Sequence, residues 1–99
     1  MTSATIKNPR SKKKSEVKAK NYPDYKVLLH NDDGVYAGLV VELLQKHIPR
    51  MNETKAVSIM MEAHRTGTGL VITCHQELAE MYQDILRGES LTVSIEPII

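Results

Sequence analysis

Over residues 22–99 the apolar positions fall into six short blocks whose spacing alternates between strand-like and helix-like periods. Tyr25-Lys26-Val27-Leu28-Leu29 is a short run, apolar enough for a strand lying centrally in a sheet. Leu39, Val40, Leu43, Leu44 and Ile48 recur at helical intervals, which predicts a helix with one buried face that Pro49 stops. A second helix starts at Asn52, a residue type suited to the N-cap, with Glu53 well placed in the first turn. Ala56, Val57, Met60 and Ala63 carry its period to Gly67, the usual residue beyond a helix C-terminus. Gly69 to Cys74 reads as a second strand. Gln76 to Leu86 reads as a third helix, buried through Leu78, Met81, Ile85 and Leu86 and closed by Gly88. Leu91 to Ile95 alternates as a last strand. The resulting order is β-α-α-β-α-β. The economical packing is an α+β domain, a three-stranded antiparallel sheet with three helices on one face.

Upstream of Tyr22-Pro23-Asp24 the pattern disappears. Pro23 holds its predecessor extended and marks the entry to the domain. Residues 1–21 hold Ile6 and Val17 as their only large apolar residues beside Met1. Such a segment cannot offset its ordering entropy, so residues 1–21 are expected to be a flexible, disordered N-terminal extension and residues 22–99 the core domain. The two parts differ in charge. Seven Lys/Arg against one Glu make the extension +6, and six Lys/Arg against eleven Asp/Glu make the core −5. Lys12-Lys13-Lys14 is by default a solvated run. Its functional alternative is contact with nucleic acid or an acidic protein surface. A plastid transit peptide fits less well, because the segment is short, Lys-rich rather than Arg-rich, and without amphipathic period.

Composition narrows the class. Ninety-nine residues, 41% of them hydrophobic, make one small domain. With no Trp or Phe and four Tyr, aliphatic residues and five Met must fill the core. One Cys excludes an internal disulfide and points to a reducing compartment. No run has the length of a membrane span, and no secretory signal is visible. A cytoplasmic protein is expected, with the plastid stroma as the alternative.

The candidate chemistry centres on Asn31-Asp32-Asp33-Gly34, where the first strand leaves the core. This cluster can close a turn, bind a cation, or accept hydrogen bonds from an ammonium group. His64 lies near the end of the second helix, four positions after Met60 and on the same face. Asp32, Asp33 and His64 could suggest a metal. However, the loop lacks the alternating oxygen ligands of a calcium site, and no HExxH or Cys/His spacing is present. Cys74-His75 is a poor nucleophile and base, since neighbours on a strand point to opposite faces. There is no phosphate loop and no aromatic stack for single-stranded nucleic acid. Neither an enzyme nor a metal or other cofactor is expected. Ala37, Val40, Met60 and Leu91 are core residues on the simplest reading. Beside the Asn/Asp/His cluster they would line a pocket for a group with a charged head and a hydrophobic body.

Three stretches together resemble a known family: Tyr25-Lys-Val-Leu-Leu-His-Asn-Asp-Asp33, Val40-Val-Glu-Leu-Leu-Gln-Lys46, and Ala56-x-x-x-Met60-x-x-x-His64-x-x-Gly67. The family is ClpS, the N-degron adaptors that deliver substrates to the ClpA or ClpC unfoldase, and the similarity covers residues 24 to 96. The resemblance implies the same β-α-α-β-α-β order. It also implies that Asn31, Asp32 and His64 receive a substrate's free α-amino group. An ammonium offers three donors, and an amide oxygen, a carboxylate and a neutral imidazole accept. Protonation of His64 would remove one acceptor and add a like charge, weakening binding at low pH. The family's side-chain pocket maps to Val35, Ala37, Val40, Met60 and Leu91, for a first residue Leu, Phe, Tyr or Trp.

Two departures stand out. Most relatives have Thr-Pro-Met after an Asn-Asp-Asp-aromatic run; here the stretch is Val35-Tyr36-Ala37, preceded by Gly34. Ala37 in place of Met widens or reshapes the pocket rim, which implies looser or altered discrimination among bulky apolar residues. On the implied unfoldase-docking surface, Glu77 matches the family Glu, whereas Tyr82 stands where a Lys is often found. The implied partners are a ClpA- or ClpC-type unfoldase and proteins or peptides with a free hydrophobic N-terminus. Neither membrane nor nucleic acid is expected. The competing reading is a nucleic-acid- or ribosome-associated protein acting through its basic tail.

Overall fold

The computed structural model of the protein describes residues 22–99, so the basic extension expected at residues 1–21 lies outside the described residues. The elements are β1 (Tyr25–His30), α1 (Ala37–His47), α2 (Glu53–Thr66), β2 (Thr68–Cys74), α3 (Gln76–Gly88) and β3 (Val93–Pro97). The order is the one the spacing predicts. The strands form one antiparallel sheet in the order β2-β1-β3. β2 and β3 therefore run the same way with β1 between them, joined by the crossover helix α3, a split β-α-β arrangement.

Val27 and Leu29 of β1 point into the core and pair with Ile95 and Val93 of β3. Their neighbours Lys26, Leu28 and His30 face the other side of the sheet, half-buried. The helices cover the core face. α2 and α3 lie against the strands, and α1 rests on α2 and α3 rather than directly on the sheet. Its stripe of Val40, Leu43, Leu44 and the following Ile48 closes the core from outside.

Local chemistry explains the boundaries. α1 starts at Ala37, two residues before its apolar period, because the Leu39 and Val40 amides already bond the Tyr36 carbonyl. That first turn is exposed, so no hydrophobic spacing reveals it. Asn52 caps α2, its side-chain oxygen accepting the Lys55 N–H at 2.8 Å. Asn52→Ala is expected to cost about 1 kcal/mol and lower the midpoint of thermal unfolding by roughly 4–8 °C, measurable by circular dichroism. Gly67 ends α2 in the left-handed conformation, φ 100°.

Several expected positions move. The buried stripe of α2 runs through Ala56, Ile59 and Ala63, with Met60 at its border, whereas Val57 is exposed. α3 buries Ala79, Tyr82 and Leu86, while Met81 is exposed and Leu78 and Ile85 are half-buried. In both helices small residues sit on the inward face, Ala56 and Ala63 in α2 and Ala79 in α3, and a larger apolar residue is left outside. Gly88 remains helical, and Ser90, at φ 74°, makes the left-handed turn that Gly88 was expected to make. The last strand starts at Val93 rather than Leu91. Leu91 and Thr92 form its lead-in, with Leu91 buried and its amide bonded back to the Leu86 carbonyl.

Candidate functional site

β1 ends at a cavity of about 220 Å³. Its apolar wall comes from Val35, Ala37 and Val40 on the loop and α1, Met60 on α2, and Leu91 before β3. Val40 and Leu91 are buried, Val35 and Met60 half-buried, and Ala37 exposed. Asn31, Asp32 and His64 line the same cavity and are exposed to solvent. All eight residues that the sequence assigned to substrate binding thus border one space, although they come from four segments.

Two features of the fold bring them together. At Gly69 on β2, an added Cβ would lie 2.5 Å from the Ile59 carbonyl oxygen of α2. Only glycine admits this helix so close to the sheet. Then Gly67 turns the chain, its N–H bonding the Ala63 carbonyl, and its own carbonyl accepts the Asn31 N–H at 3.0 Å. The last turn of α2, which carries His64, is thereby tied to the loop that carries Asn31 and Asp32.

The loop is a turn and a set of acceptors at once. The Gly34 N–H donates to Asp32 Oδ1 at 2.9 Å, and the Val35 N–H donates to the Asp32 carbonyl at 3.1 Å. Thr92 Oγ1 donates to Asp32 Oδ2 at 3.0 Å. Asn31 Nδ2 donates to Asp33 Oδ1 at 3.4 Å, turning its amide oxygen the other way. Among the described residues, no intramolecular hydrogen bond engages that oxygen or the His64 ring. An amide oxygen, a carboxylate and an imidazole above an apolar cavity suit a cationic head with a hydrophobic body.

Leu29, His30, Ala63 and Thr92 also line the cavity and were not assigned to it from the sequence, and so does Asp33, which the sequence singled out in the Asn31–Gly34 cluster but not as a substrate contact. Leu29, His30 and Asp33 flank recognised positions, and Ala63 precedes His64. Thr92 carried no signal: it lies 60 residues from Asp32 and reaches it through the lead-in to β3. A broader groove between α1 and α2, with Glu42, Glu53 and Val57 in its lining, shares Ala37 and Met60 with the cavity.

The proposed docking pair separates. Glu77 is exposed in the first turn of α3, but Tyr82 is only 7% exposed and belongs to the core, so it is corrected from a surface residue to a core residue. Tyr82 joins Ala79 and Leu86 on the inward stripe of the helix. Cys74, half-buried, has its thiol pKa raised by burial and by the negative charge of Asp24. A thiol that stays protonated at neutral pH is a weak nucleophile. Among the described residues, no group of three or more His, Cys, Asp or Glu could hold a metal ion, and no helix is long and apolar enough to cross a membrane.

Residues 20–94 match the family model described as "ATP-dependent Clp protease adaptor protein ClpS". The ClpS adapter protein of Synechococcus elongatus is 45% identical over 97 residues, covering 98% of both chains. The chloroplastic CLPS1 adapter protein of Arabidopsis thaliana is 47% identical over 75 residues, covering 76% of this chain and 47% of that one. Among solved structures, Agrobacterium tumefaciens ClpS2 bound to L-phenylalaninamide superposes with a TM-score of 0.67 at 30% identity, covering 79% of this chain and all of that one.

Proposed function

Because the chain belongs to the ClpS family, adaptors of the Clp protease rather than enzymes, we propose that its cavity binds N-degrons: a free α-amino group at Asn31, Asp32 and His64, and a bulky apolar first side chain against Val35, Ala37, Val40, Met60 and Leu91. The observation that carries this reading is the shared border of those two sets of residues on one cavity. At about 220 Å³, the space exceeds the roughly 150 Å³ of an apolar cavity that takes up benzene, so it has room for a Leu side chain or an aromatic ring. The ligand of the Agrobacterium protein supports the reading chemically. L-Phenylalaninamide has a free α-amine, a benzyl group and no carboxylate, as an N-terminal Phe residue does.

The bound protein is delivered to a Clp unfoldase, with Glu77 on the docking surface. Residues 22–99 form the adaptor domain and residues 1–21 its basic extension. The place of action is the cytoplasm or, as for the chloroplastic relatives, the stroma.

Fluorescence anisotropy with peptides beginning Leu, Phe, Tyr, Trp, Ala or Met, each free and N-acetylated, tests the site. Binding of the free, bulky apolar N-termini alone is expected. Equal binding of free and acetylated forms, or of none, refutes it and directs attention to the basic extension.

Ala37 bears on selectivity, because with Met60 it separates the cavity from the neighbouring groove. Ala37→Met is expected to narrow the preference. A methionine there would take up part of the cavity and clash with the largest first side chains at a cost of about 1–2 kcal/mol, so the spread between the best and worst bulky first residues should widen by roughly tenfold. An unchanged profile would show that position 37 does not set it.

A further inference from the structure

We infer that Thr92 is a positioning residue for amine recognition, its hydroxyl holding the Asp32 carboxylate in the orientation that meets a ligand ammonium. The inference rests on the adaptor reading above and adds a residue that reading does not contain.

Asp32 sits on an exposed loop, where an aspartate would otherwise sample several side-chain orientations. Here both oxygens are engaged, Oδ1 by the Gly34 N–H at 2.9 Å and Oδ2 by Thr92 Oγ1 at 3.0 Å. The first of these bonds is local and travels with the loop. The second ties the carboxylate to the sheet. The Thr92 carbonyl accepts the His30 N–H at 2.8 Å, and its neighbours Leu91 and Val93 are both buried. A β-branched side chain on so fixed a backbone has few rotamers.

Each carboxylate oxygen keeps acceptor capacity after one bond, so neither anchor blocks the ammonium. An ordered acceptor meets its ligand without the entropy cost of ordering on binding. The same two-residue lead-in sets both halves of the site, since Leu91 forms part of the apolar wall and Thr92 orients the charge.

The test is a double-mutant cycle read as peptide affinity. Thr92→Val keeps the shape and removes the donor. It is expected to weaken a free-amine Leu- or Phe-initiated peptide about fivefold, the loss of one typical hydrogen bond, and Thr92→Ser should restore binding. In an Asp32→Asn background, where the charge is gone, Thr92→Val should change affinity by less than about twofold. A fivefold loss that persists in that background, no loss in the wild type, or failure of Ser to restore binding would overturn the inference. If the wild-type chain does not distinguish free from acetylated peptides, the adaptor reading itself fails, and this is seen before any variant is compared.

Discussion

Replacing Asp32 by Asn is expected to weaken binding of a free-amine, Leu- or Phe-initiated peptide roughly thirtyfold, while leaving the weak binding of its acetylated form nearly unchanged. The change is close to isosteric. The substituted side chain still offers an oxygen to the Gly34 N–H, and its amide nitrogen can donate to the Thr92 hydroxyl in place of the present bond. The loop therefore keeps its shape and loses its charge. A hydrogen bond to a charged group contributes about 1.5–3 kcal/mol, and about 2 kcal/mol corresponds to thirtyfold in affinity. Acetylation removes the ammonium charge and two of its three donors, so in the wild type it should cost at least as much. In the variant the two losses should not add, because each removes one side of the same interaction. Isothermal titration of both peptides against both proteins gives the four affinities. Strict additivity would mean that Asp32 does not receive the amine.

The second large effect is on stability. Gly69→Ala should destabilise the domain by about 2–3 kcal/mol, because its methyl group would press on backbone rather than on a side chain that can rotate away. The Ile59 carbonyl oxygen lies 2.5 Å from the new Cβ position and the Ala63 nitrogen 3.3 Å. Relief requires α2 to move off the sheet. For a domain of this size, that cost corresponds to a fall in melting temperature of more than about 10 °C. Leu70→Ala, at an exposed neighbouring position on the same strand, is the control and should shift it little. The same displacement would carry His64 and Met60 away from the cavity, so peptide affinity should fall below the melting temperature as well. Loss of stability with unaltered affinity would show that the site tolerates movement of α2.

The elements were legible because their signals are local. The apolar run of β1, the helical period of α1, the Asn52 cap and the Gly67 terminator each lie within a few residues and act on their own backbone. The misplacements have one physical cause. Val57 and Met81 look like core residues by composition, but which apolar side of a helix turns inward depends on what it packs against. Ala56, Ala63 and Ala79 occupy the inward faces, and at Ala63 the helix backbone comes close to Gly69 of the sheet. Tyr82 was assigned to the surface from its place in a motif, and packing put it in the core.

The candidate site divides the same way. Asn31, Asp32 and His64 were recognisable from residue type and from their motif, and the β-α-α-β-α-β order from periodicity, since both are written in short stretches of chain. Only the tertiary structure decided that His64 stands beside Asn31, that Val35, Ala37, Val40, Met60 and Leu91 close around one cavity, and that Thr92 holds Asp32. Those relations depend on the register of three strands and on how closely α2 can approach Gly69. They are contacts between distant segments, and no local spacing encodes them.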